Sequence, residues 1–137
     1  MKVKNLFTLI FIAACVAAVC FSAKTEKQKE VVLYTALDQI FSEPIVKDFE
    51  QQTGIKVKVV YDTEAAKTTG LVNRLIAEKD NPNADVFWNN EIARSIVLKD
   101  KGILASYFSH SANDIPEQFK DKEGYWTGFA ARACIDI

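Results

Sequence analysis

VVLYTALDQIFSEPIVKDFEQQTGIKVKVVY, residues 31–61, reads as strand, helix, strand. Val31 to Thr35 form a continuous apolar run with β-branched residues, suited to a strand buried on both faces. Residues 41–53 then carry Phe41, Ile45 and Phe49 at a spacing of four, an apolar stripe along one side of a helix. Pro44 is tolerable in the first turn of that helix, and Gly54 is placed to end it. Residues 55–61 alternate apolar and polar, as a strand does. Two further units follow. A helix is expected over residues 64–79, with Leu71 and Leu75, Val72 and Ile76 as its apolar pairs, weakened at Gly70. Asn81-Pro82-Asn83 is a turn. Residues 84–88 read as a third strand and residues 91–101 as a third helix closed by Gly102. Strand and helix alternating three times give an α/β class: a mainly parallel sheet flanked by helices.

Outward from that core, residues 103–124 are irregular, with Pro116 and mixed charge, and residues 125–137 return to a strand-like pattern. The chain ends in apolar sequence at Ile135-Asp136-Ile137, and the expectation is that it stops within an unfinished lobe. At the other end, a basic start with Lys2 and Lys4 precedes an apolar run to about residue 21, and then a polar stretch. That arrangement is a secretory leader over residues 1–23, followed by a polar linker over 24–30 and the lobe over 31–137. Ile12-Ala13-Ala14-Cys15 looks like a lipobox, which gives a lipid-anchored form as the alternative to cleavage near Ser22. Either route places the protein outside the cytoplasm, periplasmic or exported.

Composition narrows the function. With Lys2 and Lys4 removed, 15 basic residues face 18 acidic ones, a net charge of −3. Nothing basic enough for nucleic acid is present. Of three cysteines only Cys134 lies beyond the leader, so no internal disulfide or thiolate metal site is expected. The single His110, in Ser109-His110-Ser111, has no partner at a catalytic spacing. No nucleophile-elbow, zinc-protease, phosphate-loop or dinucleotide motif occurs, and the chain is expected not to be an enzyme. In open α/β sheets ligands bind where strands end and helices begin. Those loops hold Thr35 and Asp38, then Thr63 and Glu64, then Asn89, Asn90 and Glu91, the candidate ligand-binding residues. The same residue types also cap helices, so each position carries both readings.

Three motifs then point to a family. Val32-Leu33-Tyr34-Thr35, the junction Phe49-Glu50-x-x-Thr53-Gly54-Ile55-Lys56-Val57, and Ala84-Asp85-Val86-Phe87-Trp88 resemble the bacterial extracellular solute-binding proteins of iron(III)-type ABC importers. The stretches 61–75 and 124–132 are similar to one subgroup of them. The resemblance covers residues 31–137. It implies a type II periplasmic-binding-protein lobe, here truncated, serving as a monomeric carrier of a small-molecule or metal ligand to an ABC permease in the inner membrane. It further implies bound iron(III) with a synergistic anion as cargo, and no required cofactor. In the family, first-lobe iron ligands are a histidine after the first strand and a glutamate after the third. Aligned without gaps these positions are Asp38 and Asn90, with Glu91 one residue on. Asp38 and Glu91 are hard oxygen donors compatible with iron(III) and are the expected metal ligands. The departures leave open another small anionic ligand, such as a phosphonate or carboxylate. An exported hydrolase is the alternative from a different class.

Overall fold

The computed structural model describes residues 29–62 and 68–130. Strand β1 (Glu30–Thr35) leads into helix α1 (Gln39–Thr53), strand β2 (Lys56–Tyr61), helix α2 (Thr69–Ala77), strand β3 (Val86–Trp88) and helix α3 (Ile92–Asp100). Two short 3₁₀ turns follow, His110–Ala112 and Glu117–Phe119. The sheet has the order β2-β1-β3 and both pairings are parallel. Leu33 lies opposite Val59 and Val86, Tyr34 opposite Val60 and Phe87, Thr35 opposite Tyr61 and Trp88. The expected α/β architecture is therefore present, with strand and helix bounds shifted by only a few residues where both ends are described. The leader, the linker up to residue 28, the second βα loop over 63–67 and the stretch 131–137 with Cys134 lie outside the described residues.

Period and chain punctuation explain these elements. Side chains alternate across the sheet, so Val32, Tyr34, Val60 and Phe87 share one face. Leu71, Val72 and Leu75 of α2 and Leu98 of α3 pack against that face around buried Tyr34, and Ile103 and Leu104 close the cluster. Gly54 ends α1 in the left-handed region, φ 69°, with its N–H donated to the Glu50 carbonyl. Gly102, φ 64°, ends α3. There the Gly102 N–H reaches the Lys99 carbonyl and the Ile103 N–H the Leu98 carbonyl, the paired bonds of a Schellman stop.

Asp85 looks out of place in a strand-like run, but its role is structural. Its N–H donates to the Val32 carbonyl, and its Oδ2 accepts the Val32 N–H at 2.8 Å, which fastens the approach to β3 onto β1.

Three expectations change. α1 begins at Gln39, two residues earlier than the stripe implies, so Pro44 sits beyond the first turn and interrupts the helical bonding of the Ile40 carbonyl. The stripe itself does not reach the core: Phe41, Ile45 and Phe49 are 62, 55 and 41% exposed. Only Ser42 of α1 is buried. The helix packs on β2. Third, residues 125–130 form no strand. Lys120 and Thr127 make one isolated antiparallel bridge, and the segment is instead pinned by Asp121. That carboxylate accepts the N–H groups of Glu123 and Tyr125 and pairs with Lys99 of α3 at 2.8 Å.

A polar clasp closes the core beside Tyr34. The Tyr34 hydroxyl donates to the Glu78 carboxylate at 3.0 Å, Arg74 Nε donates to the same carboxylate at 2.7 Å, and the guanidinium lies 4.7 Å above the Tyr34 ring. Arg74 holds the Glu78 carboxyl below its ordinary value. Partial burial opposes that shift and the Tyr34 hydroxyl adds to it. Burial first, and then Glu78, push the Tyr34 phenol up.

Two outcomes follow from this packing. Leu98→Ala should lower unfolding stability by roughly 2–5 kcal/mol, since it empties a fully buried position, while Ile45→Ala on the exposed stripe should change it by about 0.5 kcal/mol. Urea denaturation of the two variants measures both. A carboxyl depressed in the folded state contributes stability above its unfolded value near 4.5, and that stability is lost as pH falls through the lowered folded value. Arg74→Gln should therefore flatten the acid limb of stability below pH 4.5 relative to the parent, as urea denaturation across that limb measures.

Candidate functional site

All three strands point the same way, so their carboxyl ends, and the loops leaving them, share one edge. The loops are bonded side by side. The Ala36 N–H donates to the Trp88 carbonyl at 3.0 Å, and the Asp62 N–H donates to the Thr35 carbonyl at 3.1 Å. The first loop is thereby stitched to both neighbours. This is the edge at which the sequence places its candidate ligand residues.

Those residues divide by what their side chains already do. Thr35 is fully buried, and its hydroxyl accepts the Leu37 N–H at 3.1 Å. Asn89 Oδ1 accepts the Glu91 N–H at 2.7 Å while its amide donates to the Ser95 hydroxyl at 3.0 Å, so both ends of the side chain hold the loop entering α3. Asp38 occupies the N-cap position of α1, yet its side chain makes no capping bond; its backbone carbonyl accepts from Phe41 and Ser42 instead. Asp38 and Asn90 are exposed, and their side chains engage no partner among the described residues. Glu91 stands at the N-cap position of α3, also without a capping bond, and turns toward α2. Thr63 and Glu64 fall outside the described residues.

Residues that the motifs did not single out complete the edge. Asp62 Oδ2 accepts the Leu71 N–H at 3.3 Å, which satisfies a donor in the first turn of α2 from outside that helix. Thr68, buried just ahead of α2, has φ 52°, the left-handed region that a β-branched residue seldom enters. Its hydroxyl lies 3.5 Å from Glu91 Oε1. Arg94 reaches Glu91 Oε2 through Nε at 3.3 Å and the Thr69 hydroxyl through Nη2 at 3.2 Å, and so joins the starts of α2 and α3. The spacing of three between Glu91 and Arg94 is the one sequence signal that could have found this pair. Among the described residues, no group of three or more His, Cys, Asp and Glu side chains is placed to hold a metal ion. Trp88, at the end of β3, packs its ring 5.7 Å from that of Phe129 and is half-buried beside the edge. A separate cavity of about 250 Å³ lies in the irregular segment, lined by Tyr107, Phe108, Asn113, Lys120, Gly124 and Thr127 among others. His110 is exposed on a 3₁₀ turn.

Chemically, the edge offers free oxygen donors at Asp38 and Asn90, a carboxylate at Glu91, and a guanidinium beside it. It is a polar rim able to receive a ligand that carries both positive and negative charge.

No family model matches the chain. Over 110 residues it is 29% identical to iron uptake protein A1 of Synechocystis sp., a match that covers 80% of this chain and 29% of that protein. Over 54 residues it is 43% identical to a probable ABC transporter periplasmic-binding protein of Sinorhizobium fredii, covering 39% of this chain and 15% of that one. Among solved structures, the ferric iron-binding protein A of Mannheimia haemolytica in an open conformation superposes with a TM-score of 0.64 at 32% identity, over 73% of this chain and 30% of that one. A Trichodesmium protein in complex with iron and citrate gives 0.63 at 27%, over 73% and 31%. The fold is thus part of a type II periplasmic-binding-protein lobe. The resemblance to the iron(III)-type solute-binding proteins of ABC importers holds in both sequence and structure. The chain spans about 29% of the length of the first of these relatives.

The loop entering α3 depends on one side chain. Asn89→Ala should remove both of its bonds and lower unfolding stability by about 1–2 kcal/mol, measured by thermal or urea denaturation.

Proposed function

We propose that this chain forms part of the first lobe of the substrate-binding component of an ABC importer, and that its cargo is iron(III) or an iron chelate. The observation that carries the reading is the stitched strand-end edge of β1, β2 and β3 on a fold shared with ferric-ion-binding proteins at 32% identity. In this reading Asp38 and Glu91 supply hard oxygen donors to the metal. Asn90 and the second loop, with Thr63 and Glu64, contribute polar contacts, while Thr35 and Asn89 hold the loops in place. The leader directs the protein to the periplasm, where the loaded form meets a permease in the inner membrane. The chain acts as a carrier and performs no turnover.

A rim of this kind covers one side of a ligand. Two-lobe carriers close by hinge motion and strip water from both sides, which strengthens every charged contact inside. Such a rim taken alone therefore binds iron weakly. Titration of the purified chain, freed of its leader, with ferric citrate should give a dissociation constant weaker than about 1 μM. Submicromolar affinity would show that no second lobe is needed and would overturn the proposed division of the site.

A further inference from the structure

The irregular segment after α3 encloses a cavity of about 250 Å³, apart from the strand-end edge. Its two walls, residues 107–113 and 117–127, are tied together without help from a ligand. The Tyr107 N–H donates to the Gly124 carbonyl at 2.9 Å, and Lys120 Nζ donates to the Ala112 carbonyl at 3.3 Å. Just outside, the Ser106 hydroxyl donates to the Glu123 carbonyl. Phe108 is seated on Gly124, where a Cβ would stand 3.0 Å from the ring. Yet Tyr107 and Phe108 remain 72 and 69% exposed, two adjacent aromatic side chains with most of their surface uncovered. The lining also supplies the Ser109 and Thr127 hydroxyls and the Asn113 amide, side chains with no partner among the described residues. Charge is balanced at all but one lining position. Lys120 pairs with Glu117 at 2.9 Å and Asp121 with Lys99 at 2.8 Å. Lys122 is left without a carboxylate among the described residues.

We propose that this cavity is a second binding site, for a single acidic sugar ring such as a hexuronate. The proposal goes beyond the importer reading and does not depend on it. Size, surface and charge each narrow the ligand. The volume falls just below the usual range of ligand pockets, roughly 300–1,000 Å³, so the site takes one small ring and not a chain. Hydroxyls and amides both donate and accept hydrogen bonds, as the hydroxyls of a sugar do, so each of the three polar lining groups finds a complement. The faces of aromatic rings are the negative side of their quadrupole, and the C–H groups of a pyranose rest against such faces at Tyr107 and Phe108. A purely apolar ring would cover the aromatics but would cut Ser109, Asn113 and Thr127 off from water without replacing its hydrogen bonds. A carboxylate on the sugar meets Lys122 in a charge-assisted contact that a neutral sugar lacks.

The test maps amide chemical shifts of the isotopically labelled full chain, with sodium glucuronate, glucose and sodium acetate as separate probes. The parent is compared with Phe108→Ala, with Lys122→Gln, and with Lys47→Gln on α1 as a distant control. Circular dichroism confirms that each is folded, and Asn113→Ala carries the comparison where Phe108→Ala does not fold. The expected result is saturable glucuronate shifts at residues 107–113 and 120–127, with a dissociation constant of about 1 mM. Glucose should bind the parent about threefold more weakly, and Lys122→Gln should remove that difference. Phe108→Ala should weaken glucuronate binding about fivefold or more, while Lys47→Gln should bind it like the parent. No saturable shift at about 10 mM glucuronate, or shifts centred on the strand-end loops, would overturn the proposal. Acetate binding as tightly as glucuronate would also overturn it, since the site would then read charge alone. Glucose matching glucuronate in the parent would overturn the assignment of an acidic sugar. Glucuronate binding that Phe108→Ala and Asn113→Ala both leave unchanged would place the sugar outside the cavity and overturn the site.

Discussion

Parallel pairing on both sides of β1 is the constraint on which the remaining structure depends. Because β1 is bonded to β2 along one edge and β3 along the other, its register fixes where each neighbouring strand ends. Two further bonds, Ala36 to Trp88 and Asp62 to Thr35, carry that register past the strands and into the loops. Asp85 strengthens the weaker of the two pairings, since β3 has only three residues and its carboxylate adds a bond to Val32. A slip of one residue would turn Tyr34 away from α2 and would also pull the Asp38 and Asn90 loops apart. The buried face and the polar rim are therefore set by the same few hydrogen bonds.

Much of this was legible in the chain because the signals were local. Continuous β-branched residues in β1, alternation in β2, and glycines after α1 and α3 each act within a few residues of themselves. The face on which α1 sits was less legible. Phe41, Ile45 and Phe49 have the spacing of a core stripe, but spacing cannot say whether anything lies opposite, and among the described residues they stay exposed. The tail misled for a related reason. Trp126, Gly128 and Phe129 look like a strand, yet the segment over 120–127 is organised by a carboxylate, Asp121, gathering backbone N–H groups and Lys99.

The rim was legible in its location and only partly in its members. Strand ends in a parallel sheet announce where ligands go, and Asp38, Asn90 and Glu91 lie there. Sequence could not separate side chains consumed by the fold from those left available. Thr35 and Asn89 belong to the first group, Asp38 and Asn90 to the second. Thr68 was missed because its partner lies 23 residues away, and Arg94 because its bond to Thr69 spans 25 residues, although its other partner, Glu91, is only three away. The similarity to ferric-ion-binding proteins covers only about 30% of their length, and in the proposed reading the rim is one wall of a two-lobe carrier's site.

The central claim is that the cargo meets the strand-end edge and not the cavity of the irregular segment. Amide chemical-shift mapping of the isotopically labelled chain, titrated with gallium(III) citrate as a diamagnetic stand-in for the ferric chelate, tests it most directly. The account predicts shifts concentrated at residues 35–38, 68–70 and 89–94, with Asp38, Asn90 and Glu91 among the largest. Shifts confined to residues 107–127, around Tyr107, Phe108 and Lys120, would contradict it.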